Sequence, residues 1–363
     1  MNPTQKLHDL GQSLWLDNIT RELLRSGTLA RYIRDLAVTG LTSNPTIFEH
    51  AIGHSTAYDE AIRSGARKGQ SDDSLFFALA LEDLTQAADL FRPIFDASAG
   101  VDGWVSLEVS PLLAHDAANT IEQAAELHAR ADRPNLFIKI PGTIEGLAAI
   151  EASIFAGLAV NVTLLFSCKQ YLAAAEAYLR GVERRIQAGL DPNVGSVASL
   201  FISRWDVAVK DTIPPQLRNR LGIAVAMQTY QAYCALLASP RWQKLAGAGA
   251  RAQRLLWAST GTKDPAAPDT LYVEALAAPR TINTMPEKTL LAFADHGQVR
   301  HMLPPDGGDA EAVLADCGRQ GIDPDALAER LQREGAEAFA ASWRQLLQAI
   351  STKTAQLTQA SAP

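Results

Sequence analysis

Short apolar runs of strand length recur along this chain, each followed by a longer segment whose apolar residues fall three and four apart. That alternation limits the fold. Parallel strands need a crossover to reconnect and a covered face on both sides, and an amphipathic helix after each strand supplies both. The strand-like runs fall at residues 13–17, 38–42, 102–110, 135–140, 158–164, 194–200, 254–259 and 280–284. Eight such units predict an α/β fold, a (β/α)8 TIM barrel with extra helices, filling the 363 residues as a single domain. The extra helices are expected in an insertion over about 46–92, longer than one crossover needs, and in an extension over about 287–363. A breaker at Pro304-Pro305-Asp306-Gly307-Gly308 interrupts the extension. Residues 203–238 read as one long helical region.

Composition excludes several functions. Hydrophobic residues at 47% and charged residues at 20% suit a folded enzyme, and a net charge of −7 argues against a nucleic-acid surface. Cys168, Cys234 and Cys317, odd in number and far apart, fit reduced thiols. Residues 1–9 lack the basic-then-apolar run of a signal peptide, and no uninterrupted apolar run reaches membrane-spanning length. A cytoplasmic protein is expected, with no membrane partner.

One strand carries a residue that packing does not ask for. In Asn135-Leu136-Phe137-Ile138-Lys139-Ile140, alternation places Asn135, Phe137 and Lys139 on one face, before Pro141-Gly142 stops the strand. A buried lysine is costly unless it is paired, neutralised or used. The same defect recurs at the ends of neighbouring strands. Asp17 closes the first and Asn44 follows the second. Glu108 lies late on the third, and Asn161 and Thr163 lie on the fifth. In a β/α barrel those ends form the catalytic mouth.

An amine among apolar side chains is nucleophilic toward a carbonyl, and the resulting imine is an electron sink through which a neighbouring carbon–carbon bond can break. On this reading Lys139 forms the Schiff base and Asp17 moves the proton of the cleaving hydroxyl. Glu108 with Thr163 holds the water of imine formation and hydrolysis, and Asn44 and Asn161 bind substrate hydroxyls. A phosphorylated sugar would need an anion site near the later strands, for which Arg204, Ser259 and Lys263 are candidates. His50 and His54 are four apart but lack the metalloprotease motif, so no metal site is expected. With no Walker A loop or dinucleotide fingerprint, no nucleotide cofactor is implied, and the chemistry needs none.

The blocks WLDN at 15–18, GLTSNPTIF at 40–48, SLEVSP at 106–111, IKIPGTIEGL at 138–147 and NVTLLFS at 161–167 resemble, in order, those of transaldolases. The resemblance covers the barrel to about residue 285. It is to the longer bacterial form, related to the transaldolase part of transaldolase/glucose-6-phosphate isomerase fusions. It implies a cytoplasmic pentose phosphate pathway enzyme, monomer or homodimer, acting on phosphorylated sugars. Its imine lysine would be Lys139, its acid–base aspartate Asp17 and its water-activating pair Glu108 and Thr163. Asn44 and Asn161 would position substrate, with Ser199 and Arg204 as its serine and phosphate arginine. One block departs: many transaldolases carry an arginine soon after the seventh strand, where ASTGTKDP offers only Lys263. The rival reading is another Schiff-base aldolase, whose phosphate-independent chemistry should tolerate loss of Arg204.

Overall fold

The computed structural model describes residues 2–359. Its strands are Ser13–Asp17 (β1), Val38–Thr42 (β2), Val105–Glu108 (β3), Leu136–Pro141 (β4), Val160–Leu165 (β5), Ser196–Phe201 (β6), Arg254–Ala258 (β7) and Ile282–Met285 (β8). All pair in parallel, each with its sequence neighbours, and β1 closes the ring by pairing with both β2 and β8. The fold class expected from the alternation is the one found.

The strand interiors show why the sequence accepts bulky rings and glycines together. Trp104 and Phe137 stack with centroids 4.0 Å apart, and Trp15 lies 6.2 Å from Phe137. These rings fill the end of the barrel where the strands begin. Gly40 on β2 is the complement to Trp15: a Cβ there would come within 2.5 Å of the indole nitrogen. That nitrogen donates instead to Asp102 Oδ1 at 2.8 Å. With an aromatic floor below, the inward polar residues are left at the opposite end, where the strands finish.

Several boundaries differ from those expected, each for a local reason. β3 is four residues long rather than nine, because Gly103 takes φ +84° and Asp102 turns its carboxylate onto Ser13 and Trp15. Pro141 is the last residue of β4 rather than the stop beyond it, which costs nothing because Gly142 N supplies the next ladder bond to Thr163 O at 2.7 Å. Arg280 and Ser259, at φ +63° and +57°, lie just outside β8 and β7. The region 203–238 is two α-helices, Ser203–Val209 and Leu221–Ala238, separated by a 3-10 turn at Pro215–Leu217, because Pro214-Pro215 cannot continue a helix. The stretch Pro215–Ala238 is long and apolar enough by composition to cross a membrane, with mean hydropathy 1.3. In the fold it packs on Cys168–Gln187 and Ala310–Arg319, burying Leu221, Val225 and Tyr233.

The expected insertion holds two short helices, Pro45–His54 and Asp59–Arg67, followed by Asp72–Ala97, which covers β2 and β3 as the barrel's own helix. Arg21, just past β1, ties these together: its Nε donates to Asp83 Oδ1 at 2.8 Å, and Tyr58 Oη donates to Oδ2 at 2.8 Å. Of the expected extension, Glu287–His296 follows β8 as the barrel's eighth crossover-type helix. The remainder ends in one helix of 36 residues, Pro324–Gln359, which packs on both insertion helices and on β5.

Candidate active site

The polar strand ends converge. Asp17, Asn44, Lys139, Thr163, Ser199, Arg204, Ser259 and Lys263 all line one cavity of about 130 Å³ at the C-terminal mouth. A larger cavity of about 560 Å³ lies at the other end of the barrel, against Ser13, Asp102 and Arg254 at the strand starts, and holds none of these groups.

Lys139 is buried, at 5% exposure, and in register with Glu108 on β3 and Asn161 on β5. Its ammonium donates to Ser43 O at 3.2 Å and lies 3.3 Å from Glu108 Oε2. The surroundings are therefore not the apolar ring expected from the strand sequence. Register brings a carboxylate beside the amine, and β2 ends with a carbonyl aimed at it. The approach to Glu108 is off the hydrogen-bond direction, so among the described residues both carboxylate oxygens remain without a hydrogen-bond partner, as does the buried Thr163 hydroxyl. Burial pushes the Glu108 carboxyl above its ordinary pKa, against the opposing charge of Lys139.

Asp17 approaches from β1. Its Oδ1 accepts from Thr42 Oγ1 at 2.8 Å, and Thr42 Oγ1 lies 2.6 Å from Thr284 Oγ1. Since the one hydroxyl proton of Thr42 points to Asp17, the Thr284 hydroxyl must donate to Thr42, which gives the chain a direction. Burial raises the Asp17 pKa as well, opposed by the charge of Lys139 and by the Thr42 hydrogen bond. Two carboxyl groups biased toward holding a proton thus flank one amine.

Asn161 and Glu108 lie behind the cavity wall rather than on it. Asn161 Nδ2 donates to Ser106 Oγ at 3.1 Å, and Ser199 Oγ donates to Asn161 Oδ1 at 2.7 Å, so β3, β5 and β6 share one polar bridge beneath Lys139. Asn44 does two jobs. Its Oδ1 accepts from Ile47 N at 3.1 Å as the N-cap of Pro45–His54, the ordinary duty of an asparagine before proline, while its side chain lines the cavity. His50 and His54, on that helix, stack on one another with centroids 4.5 Å apart.

The anion candidates sit opposite. Arg204 opens the helix after β6, with its guanidinium carbon 5.1 Å from the Phe201 ring and 5.7 Å from the Phe339 ring. Among the described residues it has no hydrogen bond or ion pair, and burial lowers its pKa, partly offset by the charge of Glu108. A half-buried guanidinium held between two rings with its donors free is a fork waiting for an anion. Ser259 Oγ lies 2.9 Å from Ser203 Oγ, and Lys263 reaches the same cavity close enough for its charge to act on Asp17.

Sequence reasoning missed four contributors. Thr42 and Thr284 are strand threonines with an ordinary packing explanation, although their place late in β2 and β8 was the same signal that singled out Asp17. Ser43 acts through its backbone, which no side-chain pattern reveals. Phe339 comes from the C-terminal helix, two hundred positions from Lys139, and no local signal marks it.

The family described as Transaldolase/Fructose-6-phosphate aldolase matches residues 14–350. The chain belongs to that family. Among similar proteins, a protein of Parafrankia sp. named Transaldolase is 47% identical, covering 96% of this chain and 97% of its own length. Proteins of the same name from Thermobifida fusca and Thiobacillus denitrificans are each 45% identical, covering 98% and 96% of this chain and 99% and 100% of their own.

Proposed function

We propose that this chain is a transaldolase that moves a three-carbon dihydroxyacetone unit from sedoheptulose 7-phosphate to glyceraldehyde 3-phosphate, giving erythrose 4-phosphate and fructose 6-phosphate through a Schiff base on Lys139. The observation that carries this reading is the Lys139 amine, buried at the mouth, 3.3 Å from Glu108 Oε2 and sharing a cavity with Asp17 and the unpaired Arg204. Family membership and the name of its relatives agree with it.

The groups divide the work. Glu108 is the carboxylate paired with the amine and can take its proton, freeing the lone pair for the ketose carbonyl carbon. The adduct loses its oxygen as water, for which the unpartnered oxygens of Glu108 and Thr163 form a polar berth, and an iminium is left. Asp17 takes the proton of the hydroxyl on the far carbon of the bond to be broken, the carbon that becomes the aldehyde. That bond's electron pair moves into the iminium, giving an enamine, and the aldehyde departs. An incoming aldehyde reverses the sequence: the enamine carbon attacks it, Asp17 returns the proton, and water releases the new ketose. Arg204, aided by Lys263 and Ser259, would hold the substrate phosphate, with Asn44 and Ser199 ordering hydroxyls and Asn161 holding Ser199 from behind the wall. No cofactor is called for, and a cytoplasmic location suits phosphorylated sugars.

Borohydride reduction in the presence of fructose 6-phosphate, followed by peptide mapping, is expected to leave the three-carbon adduct on Lys139 and on no other residue. An adduct elsewhere, or one that persists in Lys139→Ala, refutes the mechanism.

A further inference from the structure

The C-terminal helix reaches the cavity through Phe339, and what it contributes bears on the reaction proposed above, on which this inference rests. The helix is fastened to the barrel at the ends of β4 and β5. Gln332 Nε2 donates to Gly142 O at 3.0 Å and to Leu164 O at 2.9 Å. Leu164 has φ +60° where the β5–β6 register shifts, which leaves its carbonyl available to the helix. Gly335 then passes so close that a Cβ would meet Leu164 Cδ2 at 3.0 Å and Arg204 Nη1 at 3.2 Å. A glycine in mid-helix costs about 1 kcal/mol relative to alanine. Here it permits the close approach.

One turn on, Phe339 enters the cavity. Its ring centroid is 5.9 Å from Lys139 Nζ and 5.7 Å from Arg204 Cζ, and only 6% of the residue is exposed. Trp343, another turn along, packs against Phe76 at 4.9 Å and Phe77 at 5.5 Å, so the helix is anchored on both sides of the turn that carries Phe339. The side of the amine facing Glu108 and Thr163 is polar, and the side facing the helix is a hydrocarbon ring.

We propose that Phe339 is a specificity-determining residue that keeps water from the Lys139 adduct, so that the three-carbon unit passes to an aldehyde rather than being released. The enamine has two exits. In one, its carbon bonds to the acceptor's carbonyl carbon while the acceptor oxygen takes the Asp17 proton. In the other, that carbon is protonated, water adds to the iminium carbon, and the carbon–nitrogen bond breaks to give free dihydroxyacetone and the Lys139 amine. The second exit consumes a water, returns the borrowed proton when the neutral amine is released, and needs no other reactant. A ring with no hydrogen-bonding atom, facing the nitrogen across 5.9 Å, offers water no foothold on that wall of the cavity, whereas an alanine would enlarge the space open to it.

The test compares the protein with its Phe339→Ala, Phe339→Leu and Gln332→Ala variants, using fructose 6-phosphate as donor. Dihydroxyacetone release is measured without acceptor, and transfer is measured with saturating erythrose 4-phosphate. Both exits start from one intermediate, so changes in donor binding cancel from their ratio. Phe339→Ala should lower the ratio of transfer to release about tenfold or more, a barrier change on the order of one power of ten. Phe339→Leu should stay within about twofold of the parent. Gln332→Ala, which loosens the helix but keeps the ring, should move the ratio in the same direction as Phe339→Ala and serves if that variant folds poorly. An unchanged ratio in both alanine variants overturns the proposal, even if both rates fall together. Borohydride trapping on Lys139 runs alongside: a parent protein that neither traps nor transfers refutes the reaction itself, whereas normal trapping and transfer with an unmoved ratio refute only the role of Phe339.

Discussion

Replacing Asp17 by asparagine separates proton transfer from covalent capture. The side chain keeps its shape, and its amide oxygen can still accept the Thr42 hydroxyl proton that Asp17 Oδ1 accepts at 2.8 Å, so the Thr284–Thr42 chain is preserved. The capacity to take and return a proton is lost. A positioned general base contributes roughly 10²–10⁴-fold, and at 1.36 kcal/mol per power of ten the variant's barrier to carbon–carbon cleavage should rise by roughly 3–5 kcal/mol. Imine formation depends on Lys139 and Glu108 and should change far less. Single-turnover borohydride trapping with fructose 6-phosphate measures the first step, and acceptor-dependent transfer measures the second. Trapping near the parent level with transfer down by two to four powers of ten is the expected result. If both fall by the same factor, Asp17 does not act at the cleavage step.

Asp17 and Glu108 are both held above their ordinary pKa by burial, so the acid limb of kcat/KM should lie above the usual carboxylate range, with activity falling as pH drops through it; a limb near pH 4 would contradict this. Arg204→Ala should raise the KM for phosphorylated donors about 10–100-fold through loss of a charge-assisted contact, with little effect on free dihydroxyacetone as donor; equal effects on both would remove Arg204 from phosphate binding. Asp206, buried and accepting from Leu221 N at 3.1 Å and Tyr272 Oη at 2.8 Å, has its pKa raised by burial from 3.8 to about 6. Because the folded value is the higher, its stabilising contribution is complete below pH 3.8 and lost as pH rises through about 6. That loss amounts to about 3 kcal/mol. Urea unfolding at pH 4.5 and 7 should therefore show a smaller pH slope in Asp206→Asn than in the parent, and equal slopes would refute the assignment.

Legibility in the sequence follows the range of the interactions. Asp17, Glu108, Lys139 and Thr163 could be singled out because strand alternation is local: each is an inward residue at the finishing end of its own strand, and that position is set by a two-residue period. Boundaries were less legible where a single backbone angle decides them, as at Gly103, Ser259 and Arg280. Asn161 was expected to meet substrate, and the structure places it behind the wall with both ends of its amide occupied by Ser106 and Ser199. No rule along one strand could reveal that two other strands would satisfy it.

The sequence by itself determined the eightfold alternation, the end of the barrel at which polar groups collect and the lysine on which the chemistry centres. All of these follow from periodicity and from the cost of burying charge. The tertiary structure alone decided what surrounds that lysine. Barrel closure and register put a carboxylate 3.3 Å from the amine where the strand sequence suggested hydrocarbon, and assembly set Arg204 between the ring of Phe201, three residues before it, and that of Phe339 from the C-terminal helix. It also brought the C-terminal helix over the mouth to set Phe339 against Lys139. Such placements depend on closing loops of 31 residues between Glu108 and Lys139 and 200 between Lys139 and Phe339, whose entropic cost is repaid only by the assembled packing, so no single strand or helix pattern contains them.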